Sequence, residues 1–158
     1  MIPDIVLRPA DAADLPFLRR VYRSTREPEM ALLPWTDSQK DAFCDMQFTA
    51  QDRSYRGAFP QGEFLVARCG DETVGRLYRA TVEGVVHLLD IALLPPWRNR
   101  GIGTRLVRET QAIAAAGDMP LQLHVEQNNP AQRLYARLGF RVVEAAPVYL
   151  RLEWRGGV

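Results

Sequence analysis

The sequence is poor in the residues that mark several protein classes. Among its 158 residues there are two cysteines, two histidines and a single lysine, Lys40. Cys44 and Cys69 lie far apart with no C-x-x-C or adjacent histidine pattern. That excludes a disulfide scaffold, and both read as reduced core residues. The segment G-x-x-x-x-G-K-[ST] is absent, which excludes a phosphate loop of that type. No stretch approaches the ~20 apolar residues of a membrane span, and the opening MIPDIVLRPADAADL has no basic segment followed by an apolar core. A soluble cytoplasmic protein without a membrane partner is expected. Excess charge is also missing: 20 basic against 19 acidic residues leave +1. A partner held by bulk charge, nucleic acid included, is therefore not expected.

What is present is a globular composition, 47% hydrophobic and 25% charged with Gly and Pro at 11 each, which excludes disordered and collagen-like chains. The length suits one domain over 1–158, burying roughly 70% of its unfolded surface. No repeat, low-complexity stretch or linker interrupts it.

A first strand reads Ile5–Arg8 and ends at Pro9. Asp11 or Asp14 then caps a helix with Leu15, Leu18, Tyr22 and Thr25 on one stripe. Thr36-x-x-Gln39 fits a capping box for a second helical region, in which Phe43, Met46 and Ala50 recur at helical spacing. From Glu63 the pattern changes to EFLVARC, VGRLYRAT and VVHLLDIALL with tight turns between them, an antiparallel meander. Gly101–Ala116 returns to helical spacing through Ile102, Leu106, Thr110 and Ile113, with Gly117 as its C-cap. The strand LQLHVEQ follows, then a helix started by Asn129 and Pro130 with Ala131, Leu134, Tyr135 and Leu138 on one face. Gly139 ends that helix and brings Phe140 back onto Tyr135. RVVEAAPVYLRLEW supplies two closing strands. The order predicts a mixed α/β (α+β) sandwich.

The segment Pro95-Pro96-Trp97-Arg98-Asn99-Arg100-Gly101-Ile102-Gly103-Thr104 joins a hydrophobic strand directly to an amphipathic helix. A helix N-terminus leaves unpaired N–H groups and partial positive charge, and glycines let a pyrophosphate approach the backbone. Arg98 and Arg100 add full charge and Thr104 a hydroxyl. A dinucleotide fold is excluded, because Leu106 stands where a third glycine is needed and the strand belongs to a meander. A tight turn that merely starts a helix would also produce G-x-G.

Arg98-x-x-Gly101-x-Gly103, together with Asn128-x-x-Ala131-x-x-Leu134-Tyr135-x-x-Leu138-Gly139-Phe140, resembles the two signature motifs of the GNAT superfamily of N-acetyltransferases. The order of elements along nearly the whole chain is similar to that family's. The resemblance implies a mostly antiparallel sheet flanked by helices and splayed between its fourth and fifth strands, here Val85–Leu94 and Leu121–Gln127. It implies acetyl-CoA as cosubstrate, with the backbone at Ile91, Ala92 and Leu93 against pantetheine. N–H groups of Arg100, Gly101, Ile102, Gly103 and Thr104 would hold the pyrophosphate beside Arg98, and Asn128 would contact pantetheine. It implies direct attack of an amine on the thioester, with a main-chain N–H near Leu93 as oxyanion donor. Tyr135 matches the family's thiolate acid; its other reading is a core aromatic against Phe140. His87 stands where family members project a Glu or His as general base, with Glu83, Asp90 and Glu126 as rivals. Strand alternation, barring a bulge, places His87, Leu89 and Ile91 on one face and Leu88, Asp90 and Ala92 on the other.

The family chooses its acceptor with the first two helices and the final strands. Here that region holds Glu27, Glu29, Trp35 and the stripe Gln47, Gln51, Tyr55, which fits a small-molecule or peptide amine without identifying it. A non-catalytic acyl-CoA sensor and nucleic-acid binding through the arginines are the competing readings. No ligand cluster points to a metal. Val148–Trp154 serves either as an internal strand or as a dimer edge, leaving monomer or homodimer open. The near-neutral total conceals Arg98, Arg100, Arg105 and Arg108 at one junction, with Glu109 the lone acid between Leu94 and Ala116.

Overall fold

A computed structural model of the chain describes residues 4–157, so the extreme ends of the expected 1–158 domain lie outside the described residues. Its elements in chain order are β1 (Val6–Pro9), α1 (Leu15–Thr25), α2 (Glu27–Met30), α3 (Asp37–Ala58), β2 (Glu63–Cys69), β3 (Glu72–Val82) and β4 (Val85–Leu93). There follow α4 (Ile102–Ala116), β5 (Leu121–Glu126), α5 (Gln132–Arg137), β6 (Arg141–Ala145) and β7 (Tyr149–Trp154). The strands form one seven-stranded sheet in the order β1-β2-β3-β4-β5-β7-β6. Every pairing is antiparallel except β4 with β5. Among the described residues no helix is long and apolar enough to cross a membrane.

Local chemistry explains most boundaries. Pro9 ends a sheet-edge strand, where its missing N–H costs no ladder bond. Asp11 accepts from Ala13 N–H at 2.9 Å while Asp14 accepts from Asp11 N–H at 2.8 Å. Thr36 and Gln39 form the expected reciprocal box at the start of α3. Glu83 and Gly84, both at positive φ, make the tight β3–β4 turn. After α5, Gly139 at φ 93° lets Phe140 N–H reach the Tyr135 carbonyl at 3.0 Å. This closes the helix and sets the two rings edge to face, 5.5 Å apart.

Helices α4 and α5 cover one face of the sheet through Ile102, Leu106, Val107, Ala114 and Tyr135, packed on Leu77, Val86, Leu88, Leu121 and Leu123. Helices α1 and α3 cover the other through Leu18, Tyr22, Cys44 and Phe48. Three expected helix faces shift. In α1, Leu15 is exposed and Val21 takes its place in the core. In α4, Ile113 is exposed while Gln111 and Ala114 are buried. In α3, Met46 is 62% exposed and Ala50 is exposed too; the sheet-facing stripe runs through Cys44 and Phe48, with only Phe43 of the expected three packed beside them. That helix covers a partly polar floor, so its inner stripe mixes apolar and polar side chains and hydrophobic spacing alone misplaces it. Strand β7 lies between β5 and β6 and is internal, which places β6, not the last strand, at the sheet edge.

Candidate active site

Strands β4 and β5 pair only at Val86–Leu121, His87–Gln122 and Leu88–Leu123, and then diverge. Beyond Leu88 the β4 edge facing β5 is open. Along the opposite edge, Tyr78 pairs with Asp90 but Arg79 pairs with Leu88, so Leu89 is an inserted bulge residue. A bulge reverses the alternation downstream. His87, Asp90 and Ala92 therefore share the face toward α1 and α3, while Leu88, Ile91 and Leu93 face α4. This corrects the alternation expected for an unbroken strand, which put His87 and Asp90 on opposite faces. The bulge also fixes main-chain directions. Leu94 N–H donates to the Val74 carbonyl at 2.9 Å. By alternation Ile91 and Leu93 then turn their N–H groups into the open gap, and those of Ala92 point to β3.

At the end of β4 the chain turns through Asn99 and Gly101, both at positive φ. The first intrahelical bond of α4 runs from Arg105 N–H to the Gly101 carbonyl, 3.1 Å. The N–H groups of Ile102, Gly103 and Thr104 precede it and are free of helical acceptors. A Cβ on Gly103 would meet only Leu134 Cδ2, at 3.9 Å, so the protein leaves space there. Arg100 stacks over Trp97 at 4.9 Å. Arg98 donates from Nε to the Leu93 carbonyl at 2.9 Å and from Nη2 to Ser24 Oγ at 3.2 Å, tying the end of β4 to α1. Two residues on, Arg26 lies 3.9 Å from Glu126 at the end of β5. The last turn of α1 thus touches both arms of the splay.

The face toward α1 and α3 is built around Arg76, which sequence reasoning missed. Arg76 is 2% exposed at the centre of β3. It donates to Gln51 Oε1 at 2.7 Å, is ion-paired with Asp90 Oδ2, and lies against the rings of Tyr22, Phe48 and Tyr78. Its Nε and Nη1 are buried without a hydrogen-bond partner. The visible signal was a pair of arginines, Arg76 and Arg79, inside the strand VGRLYRAT. The polar stripe expected on α3 does converge here. Gln47 accepts from the Tyr22 hydroxyl at 3.5 Å, Gln51 accepts from Arg76, and the Tyr55 hydroxyl donates to the Leu89 carbonyl at 3.0 Å. Burial pushes the Tyr55 phenol up to about 12, with the Asp90 charge adding to the effect. Glu29 approaches Arg26 at 3.8 Å, and Trp35 stacks edge-on against Phe43.

Tyr135 is buried in α5, and its hydroxyl is held protonated far above the ordinary phenol range, first by burial and then by the Asp90 charge. His87 is half-buried with its ring centroid 5.4 Å from that of Phe59, and burial, followed by His124, lowers its pKa. It stands in the paired part of β4, just before the gap opens, beside a cavity of about 340 Å³ bounded by Phe59, Gly62, Ala80 and Val82. Of its rivals, Asp90 and Glu126 share its face, whereas Glu83 sits in the β3–β4 turn. Asn128 is exposed beyond β5, and Asn129 makes the local cap by accepting from Ala131 N–H at 2.8 Å. Among the described residues no group of three or more His, Cys, Asp or Glu side chains is placed to hold a metal ion.

Residues 60–142 match the family model of the acetyltransferase (GNAT) domain. Over 102 residues the chain is 33% identical to the N-alpha-acetyltransferase RimI of Mycobacterium tuberculosis. That match takes in 61% of this chain and 63% of that protein, less than two thirds of its length. The fold is similar to that of the PaiA N-acetyltransferase of Thermoplasma acidophilum crystallised with coenzyme A, with a TM-score of 0.73 and 19% identity over 97% of this chain and 99% of that one. It is also similar to the ribosomal-protein-S18-alanine N-acetyltransferase of Escherichia coli, with a TM-score of 0.67 and 15% identity over 96% and 94% of the two chains.

Proposed function

The chain belongs to the GNAT acetyltransferase family, whose cosubstrate is acetyl-CoA, and from that premise we propose that it moves the acetyl group onto a primary amine. The observation that carries the reading is the left-handed glycine turn with unbonded N–H groups, set at the open end of a parallel strand pair. The residues present suit the cosubstrate. The open space at Gly103 accommodates a diphosphate near the N–H groups of Ile102, Gly103 and Thr104, with Gly101 shaping the turn and Arg98 and Arg100 adding charge. The N–H groups of Ile91 and Leu93 face the gap, where an extended pantetheine arm finds main-chain partners, with Ala92 between them and Asn128 at the far side.

When bound, acetyl-CoA supplies the activated acyl group. The chain's own residues then perform three tasks. His87, kept neutral to lower pH than an ordinary histidine, takes the proton of the acceptor. A main-chain N–H at Leu93 faces the charge that develops on the acyl oxygen. Tyr135, held protonated by burial, gives its proton to the departing sulfur. No covalent nucleophile is needed. Similarity to an N-alpha-acetyltransferase makes an α-amino group the first acceptor to try, and the near-neutral chain, with no membrane-spanning helix among the described residues, suits work in the cytoplasm.

The test is release of coenzyme A from acetyl-CoA in the presence of peptides with free N-termini, lysine peptides, polyamines, amino sugars and amino acids. Release with at least one of them, and formation of its N-acetyl product by mass, is expected. Tight coenzyme A binding with no transfer to any member would overturn the reading and favour a sensor.

A further inference from the structure

We propose that Asp90 forms the acceptor's ammonium subsite, binding the charged amine through its Oδ1, and that Arg76 is the positioning residue that holds this carboxylate in place. The proposal rests on the reading of the chain as an amine acetyltransferase. It begins with the bulge. In an unbroken strand that paired Leu89 in the ladder, Asp90 would face the apolar layer that holds Leu88 and Ile91. With it, the carboxylate stands on the α1–α3 face, two residues beyond the last β4–β5 pair. That is the apex of the splay, where the strand edge first becomes free.

Arg76 engages only one carboxylate oxygen, Oδ2. Among the described residues Oδ1 has no partner, and the Asp90 side chain keeps 23% of its exposure while that of Arg76 keeps 2%. A carboxylate offers about four lone-pair sites, so a second donor can bind on the open side. Arg76 itself is closed off by Gln51 and three aromatic rings. Its contact with Oδ2 holds the carboxylate in one orientation.

The surroundings suit an ammonium group. The Tyr55 hydroxyl is tied to the bulge carbonyl itself, Tyr78 pairs with Asp90 across β3 and β4 on the same face, and the Tyr55 and Tyr78 rings meet edge-on 6.1 Å apart. Aromatic faces around a half-buried carboxylate favour a cation. The other carboxylates on this face are engaged elsewhere. Glu126 lies by Arg26 at the far end of β5, and Glu153 accepts from Gln122 and Arg155.

Steady-state kinetics of the wild type and Asp90→Asn test the proposal with three acceptors. An alanine-initiated peptide and putrescine are ammonium ions near neutral pH, whereas methoxyamine is uncharged there. Loss of one charge-assisted contact should raise KM for the peptide and putrescine by roughly 10–100-fold and leave methoxyamine and acetyl-CoA nearly unchanged. Because Asp90→Asn strands a buried guanidinium, the double variant Arg76→Met/Asp90→Asn is measured beside it. It removes both charges, should melt close to the wild type, and should show the same selective loss. An unchanged KM for the ionised amines, or an equal loss for methoxyamine, overturns the subsite and leaves the acetyltransferase reading standing. A wild type that binds coenzyme A but acetylates neither these three nor any member of the wider amine panel overturns both.

Discussion

Under α4 and α5 the splayed sheet presents Leu77, Leu88, Leu123 and Val125, and the polar groups available there for a ligand are main-chain N–H donors from Ile91, Leu93 and the start of α4. Under α1 and α3 it presents a buried guanidinium, a carboxylate, glutamine side chains and tyrosine hydroxyls. On the function proposed above, the first side would meet its ligand mainly through backbone donors, so glycines and strand geometry there would be more constrained than most side chains, Tyr135 and the turn's arginines apart. The second would meet its ligand with side chains whose positions depend on one another. A family can keep a common cosubstrate on the first and change acceptors on the second.

The contrast breaks most visibly at Arg76. Arg76→Ala removes the partner of Asp90 and opens a cavity among Tyr22, Phe48 and Tyr78, so chemical denaturation should show a loss of about 3–5 kcal/mol. On the other face the buried Arg79 is paired with Glu63, whose side chain is exposed, so truncating that arginine would strand no buried carboxylate. Next in size is Tyr135→Phe. It keeps the ring against Phe140 but removes the acid, so kcat should fall about 100-fold while coenzyme A affinity by calorimetry stays the same. Gly103→Ala sharpens the distinction from the other side. The protein has room for the methyl group but a diphosphate does not, so coenzyme A should bind about tenfold more weakly with an unaltered melting temperature. A drop in melting temperature instead would mean that the glycine serves the fold. The smallest effect concerns His87. Its lowered pKa means that the neutral, proton-accepting form persists into more acid solution, so the acid limb of kcat/KM should lie below the ordinary histidine value of 6.5. His87→Gln should abolish that limb, and a limb retained in the variant would assign the proton to another group.

The same division decides what could be read from the sequence. The turn geometry on the α4–α5 side was legible because it is local: Gly101 and Gly103 sit within a few residues of the strand they follow, and Gly139 with Phe140 closes α5 by a motif contained in consecutive residues. The acceptor side was legible only in part. Gln47, Gln51 and Tyr55 share a helix stripe, and helical period alone placed them together. Arg76 was missed because its partners come from α1, α3 and β4, up to 54 residues away at Tyr22, and no spacing rule spans such distances. The bulge was missed because LLDIAL carries no glycine to mark it. The α3 stripe was misplaced for a related reason: hydrophobic period finds an apolar interior, and this helix rests partly on a charge.

The extra residue at Leu89 works on β4 as a one-letter insertion works on a reading frame. Everything upstream keeps its phase, and everything downstream is reread from the opposite side of the sheet. Taking Leu89 into the regular pleat, with no bulge, would send Asp90 and Ala92 toward α4 and Ile91 and Leu93 toward α3, exchanging the inventories of two ligand sites without substituting any of those four residues. Moving the slip by two positions would alter only the residues in between. Acceptor preference in this fold can therefore change by where a strand slips as well as by which residues it contains, a kind of variation that a comparison of aligned side chains would not register.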